Sequence, residues 1–192
     1  MAYVIVGASA SGINAAKTLR ENDKNAEIIL VSKDEYVYSR CILHHFLDGR
    51  REIEALDFTP KNFFEIYNIK WIKGVEVVGI NIKEKKLKLS NNENLSYDKV
   101  LLAAGSSSFL PPIENLRTAN NVVGLRNLDD AIKIKEEAKK VKNVAILGAG
   151  LVGVDVLAGL LDYDVNITLV EMGDRILPLH LTITQQKYIK KD

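Results

Sequence analysis

The sequence predicts an α/β protein built on two βαβ units, the second of them incomplete. Two glycine-rich turns carry the prediction, each lying between an aliphatic run and an apolar helical face. Between them, short runs separated by turn residues read as an antiparallel meander. Composition agrees, since 47% of the 192 residues are hydrophobic and 27% charged. That is an ordinary balance for a packed chain and too apolar for disorder.

The elements follow in chain order. Tyr3-Val4-Ile5-Val6 is a short buried strand and Gly7-Ala8-Ser9-Ala10-Ser11-Gly12 is the first turn. Ile13, Ala16 and Leu19 share a helical face, and Glu27 to Val31 forms the next strand. The meander strands run from Val75 to Ile82, Lys85 to Leu89 and Leu95 to Asp98, with Asn91-Asn92-Glu93-Asn94 as a tight turn. Lys99 to Gly105 is another buried strand, followed by a linker with Ser106-Ser107-Ser108 and Pro111-Pro112. Asn127 caps a charged helix from Leu128 to about Lys142, with Asp129 and Asp130 in its first turn where the dipole favours acids. Its lysine-rich face reads as solvated surface. The first arrangement then recurs. Asn143 to Leu147 is a strand, Gly148-Ala149-Gly150-Leu151-Val152-Gly153 a turn, the helix runs to about Leu161, and Asn166 to Val170 is a strand. Parallel strands covered on both faces account for the continuous aliphatic runs. Trp71 and the Phe63-Phe64 pair read as core.

Several function classes are excluded. With 26 Lys+Arg against 25 Asp+Glu the net charge is +1, which does not fit a binder of nucleic-acid backbone. No apolar run approaches the roughly 18–20 residues that cross a bilayer. Cys41 is the single cysteine, so no intrachain disulfide forms and a cytoplasmic, reducing setting is expected. The start of the chain lacks the features of a secretory signal. Cys41 and His44 with His180 do not make up the four ligands of a closed zinc site, and no metal is expected.

The turns indicate chemistry. Gly148, Gly150 and Gly153 form G-x-G-x-x-G: the first permits the turn, the second lets the backbone approach a pyrophosphate, and the third allows close helix–strand packing. The helix start then offers free N–H groups and partial positive charge. Glu171 closes the next strand, where a carboxylate accepts ribose hydroxyls and repels a 2′-phosphate, favouring NADH over NADPH. In the first turn Ser9 replaces the second glycine between Gly7 and Gly12, with Ser11 beside it, and its hydroxyl can itself donate to a phosphate. Two acids, Asp34 and Glu35, follow the second strand, and Asp34 is favoured. Residues 1–115 are thus read as one nucleotide-binding domain and 120–192 as the first part of another. Nothing closes the second βαβ unit, so the chain is expected to be a piece of a longer enzyme or half of a split one.

Taken with the two turns and the meander, Tyr97-Asp98-Lys99-Val100-Leu101-Leu102-Ala103-Ala104-Gly105-Ser106 resembles the "YDxLLxATGS" strand-turn of the pyridine nucleotide-disulfide oxidoreductase superfamily, with Ala104 replacing Thr. Glu171-Met172-Gly173-Asp174-Arg175-Ile176-Leu177-Pro178 resembles the segment after that superfamily's second NAD-domain strand. Tyr38-Ser39-Arg40-Cys41-Ile42-Leu43 is similar to the "Y-x-R-x-x-L" stretch of its NADH oxidase, NADH nitrite reductase and rubredoxin reductase branch. The resemblance implies a Rossmann-like FAD/NAD(P)-binding fold of three-layer ββα type, with FAD and NADH as cofactors. It implies hydride transfer from NADH to flavin and on to oxygen, a rubredoxin-like protein or a nitrite-reducing module, in a longer, homodimeric form. Gly7, Ser9 and Gly12 would hold the FAD pyrophosphate, Asp34 the ribose, Arg40 would lie along the cofactor, the backbone near Val77 would meet adenine, and Ala104-Gly105 would pass close by. Gly148, Gly150, Gly153 and Glu171 would hold NADH. His45, beside His44, is a candidate proton relay at the flavin edge. The redox cysteine of thiol-using members falls, counted from Ser39, at Leu43, two residues beyond Cys41, and there is no C-x-x-x-x-C pair. Disulfide-reductase chemistry is therefore not expected, although thiol chemistry at Cys41 like that of coenzyme A-disulfide reductases stays as an alternative. A nucleotide-binding module without turnover is another.

Overall fold

The computed structural model describes residues 1–182, 184 and 185. The chain divides into two compact units: 1–39 with 53–106, and 40–52 with the segment from 107 onward.

The first unit is a three-layer sandwich. Strands β1 (Ala2–Val6), β2 (Glu27–Ser32), β3 (Lys70–Lys73) and β7 (Lys99–Leu102) form a parallel sheet in the order β3-β2-β1-β7. Helix α1 (Ala10–Asn22) and the short α3 (Phe63–Ile66) supply one outer layer. The antiparallel strands β4 (Val77–Asn81), β5 (Lys86–Leu89) and β6 (Asn94–Ser96) supply the other. Period-two alternation divides the core between the faces. Ile5, Ile28 and Leu30 pack with Ile13, Ala16 and Phe63 on the helical side, while Val4, Ile29 and Val31 pack with Leu87, Leu89 and Tyr97 of the meander side. Because β1 and β2 are covered on both sides, their sequences carry no polar interruption.

Arg20 ends α1 inside this unit at 8% exposure. Its guanidinium donates to the carbonyls of Tyr67, Asn68, Asp23 and Lys24 at 2.8–3.1 Å. A buried charge is tolerable when its donors are all directed at acceptors, and here it ties the helix end to the turn before β3. Phe64 stacks on Trp71 at 4.4 Å, as the core reading expects.

The second unit holds α2 (His44–Leu47), α4 (Leu128–Ala138), β8 (Asn143–Leu147), α5 (Leu151–Leu160) and β9 (Asn166–Val170). Strands β8 and β9 pair in parallel, and α5 packs against both. Gly159 lets α5 meet α2, since a Cβ there would stand 2.8 Å from Leu47 Cβ. No helix among the described residues is long and apolar enough to cross a membrane.

Three expectations need correction. The strand expected at Lys99 to Gly105 ends at Leu102 and is not buried; Leu101 and Leu102 are 43% and 63% exposed. Among the described residues it is an edge strand, hydrogen-bonded only to β1. The β8–β9 pair is likewise covered on one face only among the described residues. Ile146 is buried while Leu147 and Val170 are exposed, as the alternation of a two-stranded sheet under a single helix requires. The charged helix ends at Ala138 rather than near Lys142. There Lys140 N–H bonds the Glu137 carbonyl, tightening the last turn before the chain enters β8.

Candidate functional site: two glycine turns at helix starts

The two turns repeat each other closely. Gly7 N–H donates to Val31 O at 2.8 Å and Gly148 N–H to Val170 O at 2.7 Å, locking each turn to the neighbouring strand. Gly7 and Gly148 hold φ of +111° and +103°, a region side chains avoid. A Cβ on Gly12 would overlap the Gly7 carbonyl, and one on Gly153 the Gly148 carbonyl. Both glycines thus let a helix start lie on its own turn.

The middle position behaves differently. Ser9 and Gly150 occupy the N-cap with φ −98° and −76° and ψ −173° and −175°. Any residue adopts that backbone, so Ser9 fits where glycine was expected. A Cβ on Gly150 meets nothing within 4 Å, so glycine there keeps space open rather than relieving strain. Neither N-cap supplies a side-chain capping bond to α1 or α5. At α4, by contrast, a capping box joins Asn127 and Asp130, with the Asp130 carboxylate accepting the N–H groups of Asn127 and Arg126 at 2.9 Å. The first N–H groups of α1 and α5 have no acceptor within their helices. With the positive end of each dipole, they suit an anion.

Glu171 sits directly on the second turn. One carboxylate oxygen accepts Ala149 N–H at 2.7 Å and the other Gly173 N–H at 2.8 Å, while Leu177 N–H closes on the Ala149 carbonyl. The N–H groups of Gly173 and Ala149, with that of Met172, hold its carboxyl below the usual glutamate range. A carboxylate has about four acceptor sites, so capacity remains for ribose hydroxyls. A lowered folded-state pKa means that the carboxylate's contribution is complete above the ordinary glutamate pKa. It is lost as pH falls through the folded value. Thermal melts of the wild type and Glu171→Gln should therefore differ at pH 7, and the difference should close as pH falls below the ordinary glutamate pKa and through the lower folded-state value. A gap that stays constant across that range would contradict the assigned bonds.

In the first unit, Asp34 is half-buried in the loop after β2. Glu35 reaches Gly74, whose Cβ would lie 3.3 Å from the Glu35 carboxylate. Val77 opens β4 opposite Leu89. The Ala103 carbonyl and the Ala104 N–H pass against Gly7, and Gly105 turns the chain away with φ +71°.

Residues 40–52 belong to the second unit. Arg40 Nε lies 3.4 Å from Asn127 Oδ1. Cys41 is exposed and Leu43 is buried at 2% exposure. His44 and His45 have ring centroids 4.1 Å apart. His44 faces Asp155 at 3.8 Å and His45 faces Asp48 at 3.5 Å. Burial works against charge on Asp48. The Arg50 N–H, the His45 ring and the Arg50 guanidinium outweigh it and hold the carboxyl below the usual aspartate range. Among the described residues no group of three His, Cys, Asp or Glu side chains stands ready for a metal.

Comparison with known proteins settles the family. Residues 1–191 match the pyridine nucleotide-disulphide oxidoreductase family. The chain belongs to the pyridine nucleotide-disulphide oxidoreductases. It is 30% identical to an NADH oxidase of Methanocaldococcus jannaschii, aligned over 100% of this chain and 46% of that protein. It is 32% identical to a rubredoxin-NAD(+) reductase of Alcanivorax borkumensis, over 93% of this chain and 47% of that one. The solved NAD-dependent persulfide reductase of A. fulgidus superposes with TM-score 0.86 at 27% identity, covering 99% of this chain and 37% of its own. This pyridine nucleotide-disulphide oxidoreductase chain thus spans about half the length of the curated relatives it matches.

The expected site residues of this oxidoreductase chain fall into two groups. Gly7, Ser9, Ser11, Gly12, Asp34, Val77, Ala104 and Gly105 lie in the first unit. Arg40, Cys41, His45, Gly148, Gly150, Gly153 and Glu171 lie in the second. The polar contacts of Ser32 with Trp71 and the buried carboxylate of Asp48 are features that the sequence does not single out. Ser32 was recoverable by aligning the two turns through Val31 and Val170. Asp48 gives no such signal, because its burial depends on how α2 packs.

Proposed function

We propose that the chain carries the two dinucleotide cradles of an FAD-dependent NADH oxidoreductase, with FAD on the first turn and NADH on the second. The observation that carries this reading is the pair of helix starts behind glycine turns with no capping side chain, in a chain whose α4 has a capping box. The open space at Gly150 fits a pyrophosphate, and Glu171 fits the two ribose hydroxyls while repelling a 2′-phosphate. In the first unit Gly7, Ser9, Ser11 and Gly12 would receive the FAD pyrophosphate and Asp34 its ribose. The backbone at Val77 and at Ala104-Gly105 would flank the cofactor. Arg40 would lie along it, and His45 would hold or move a proton through its imidazole. Bound FAD would supply the redox chemistry, taking hydride from NADH and delivering electrons to oxygen, a small redox protein or a further redox module.

The relatives named NADH oxidase and rubredoxin-NAD(+) reductase support this class of reaction. Titrating the chain with FAD, NADH and NADPH tests it. Both FAD and NADH should bind, with NADH at least about tenfold tighter than NADPH. A folded chain that binds neither dinucleotide would sink the reading. Binding without NADH oxidation in the presence of an added acceptor would identify a module that needs a partner chain.

A second reading, thiol chemistry at Cys41, is favoured by the exposure of that residue and by the similarity to a persulfide reductase. Running the same oxidation assay with Cys41→Ser separates the two. Only thiol chemistry loses turnover with a persulfide or disulfide acceptor while keeping turnover with a dye.

A further inference from the structure

We propose that Trp71 and Ser32 are positioning residues for the adenosine end of FAD, holding the Asp34 backbone so that its carboxylate meets the ribose. The proposal rests on the FAD reading above.

The shared register of the two units exposes the difference between them. Gly7 N–H bonds Val31 O as Gly148 N–H bonds Val170 O, so Ser32 stands where Glu171 stands. Glu171 bonds the turn directly. Ser32 carries no charge and is buried at 4% exposure, and its hydroxyl is used inside the protein. Trp71 Nε1, which can only donate, lies 2.9 Å from Ser32 Oγ. The hydroxyl proton is thereby directed to the Asp34 carbonyl at 2.7 Å. Linked bonds of this kind polarise each other in a low-dielectric interior.

The segment between β3 and β4 is tied to the same strand end. Val75 N–H bonds Ser32 O at 2.9 Å. Trp71 pairs with Leu30 in the sheet and stacks on Phe64 with an interplanar angle of 14°, so the indole is held through its backbone and on one ring face. An acid at the strand end, like Glu171, needs no such support. Moving the acid two residues onward to Asp34 puts it in a loop, and the indole–hydroxyl relay restores the rigidity that the strand would have given.

The test uses the whole chain and follows displacement of bound FAD by ADP and by 2′-deoxy-ADP, so that only the first turn is read. In the wild type ADP should compete better than 2′-deoxy-ADP. Trp71→Phe keeps the stack and removes the N–H; Ser32→Ala removes the hydroxyl. Each should weaken ADP by about fivefold, the scale of one net hydrogen bond, and weaken 2′-deoxy-ADP, which keeps only the 3′-hydroxyl, clearly less. Ser32→Thr, which retains the hydroxyl, should behave as wild type, and NADH affinity should be the same in all four proteins. Unchanged ADP affinity in Trp71→Phe would overturn the proposal. So would equal weakening of ADP and 2′-deoxy-ADP with a lowered melting temperature, which marks a purely structural role. A wild-type chain that binds no FAD at all would overturn the FAD reading and the proposal with it, and is seen before any variant is made.

Discussion

Gly12→Ala is expected to destabilise the first unit by about 3 kcal/mol or more and to abolish FAD binding. A Cβ at this position would overlap the Gly7 carbonyl and stand 3.4 Å from Ile5 Cγ2. Neither neighbour can retreat. Gly7 is held at φ +111° with the Ala103 carbonyl pressed against its other side, and Ile5 is fully buried between α1 and the sheet. The start of α1 must therefore lift away from β1, taking its N–H groups with it. Overpacking against a flexible side chain costs roughly 1–3 kcal/mol. Overpacking against backbone belongs at or above the top of that range. Thermal melts should show a midpoint lowered by roughly 10–20 °C. A variant melting within a few degrees of wild type would mean that the helix can slide off the turn, and that the close approach is not what fixes the cradle.

How much of this was legible in the sequence depended on whether the signal was local. The glycine turns, both βαβ units and the meander each have local signatures, and β1, β2, β8, β9 and the meander strands lie within a few residues of their expected positions. The repeat even extends to the residue under each third glycine, Ile5 in one unit and Ile146 in the other. The strand β3 was not legible. Lys70-Trp71-Ile72-Lys73 has too little alternation to stand out, and it is a strand because β2 offers it a free edge. Exposure was misread at Leu101, Leu102, Leu147 and Val170 for a related reason. An aliphatic run shows that a strand can be covered, while the number of layers around it decides whether it is. Ser32 shows a third kind of limit. Its type suggests a turn residue, and its role emerges only when an indole from a strand distant in sequence is found on its hydroxyl.

Gly150→Asp should move binding and stability in opposite directions. At φ −76° with no atom within 4 Å of the new Cβ, the side chain enters without strain. Aspartate is among the best N-cap residues, so its carboxylate can accept the free N–H groups at the start of α5 and complement the helix dipole. That adds a few tenths to about 1 kcal/mol. The same carboxylate then occupies the space assigned to the pyrophosphate and repels it. A like-charge contact at a desolvated site costs several kcal/mol, so NADH affinity should fall at least about a hundredfold. FAD binding at the first turn serves as the internal control and should be unchanged. NADH titration and a thermal melt on one preparation decide the matter. Undiminished NADH affinity would show that the second turn is not a diphosphate cradle, whatever the family of the chain. A marked loss of stability would show that the space beside Gly150 is needed for packing. Three residues further on, Gly153→Ala should lower stability and NADH affinity together, through its clash with the Gly148 carbonyl. The pair of variants thus separates a glycine that keeps room for a ligand from one that keeps room for the fold.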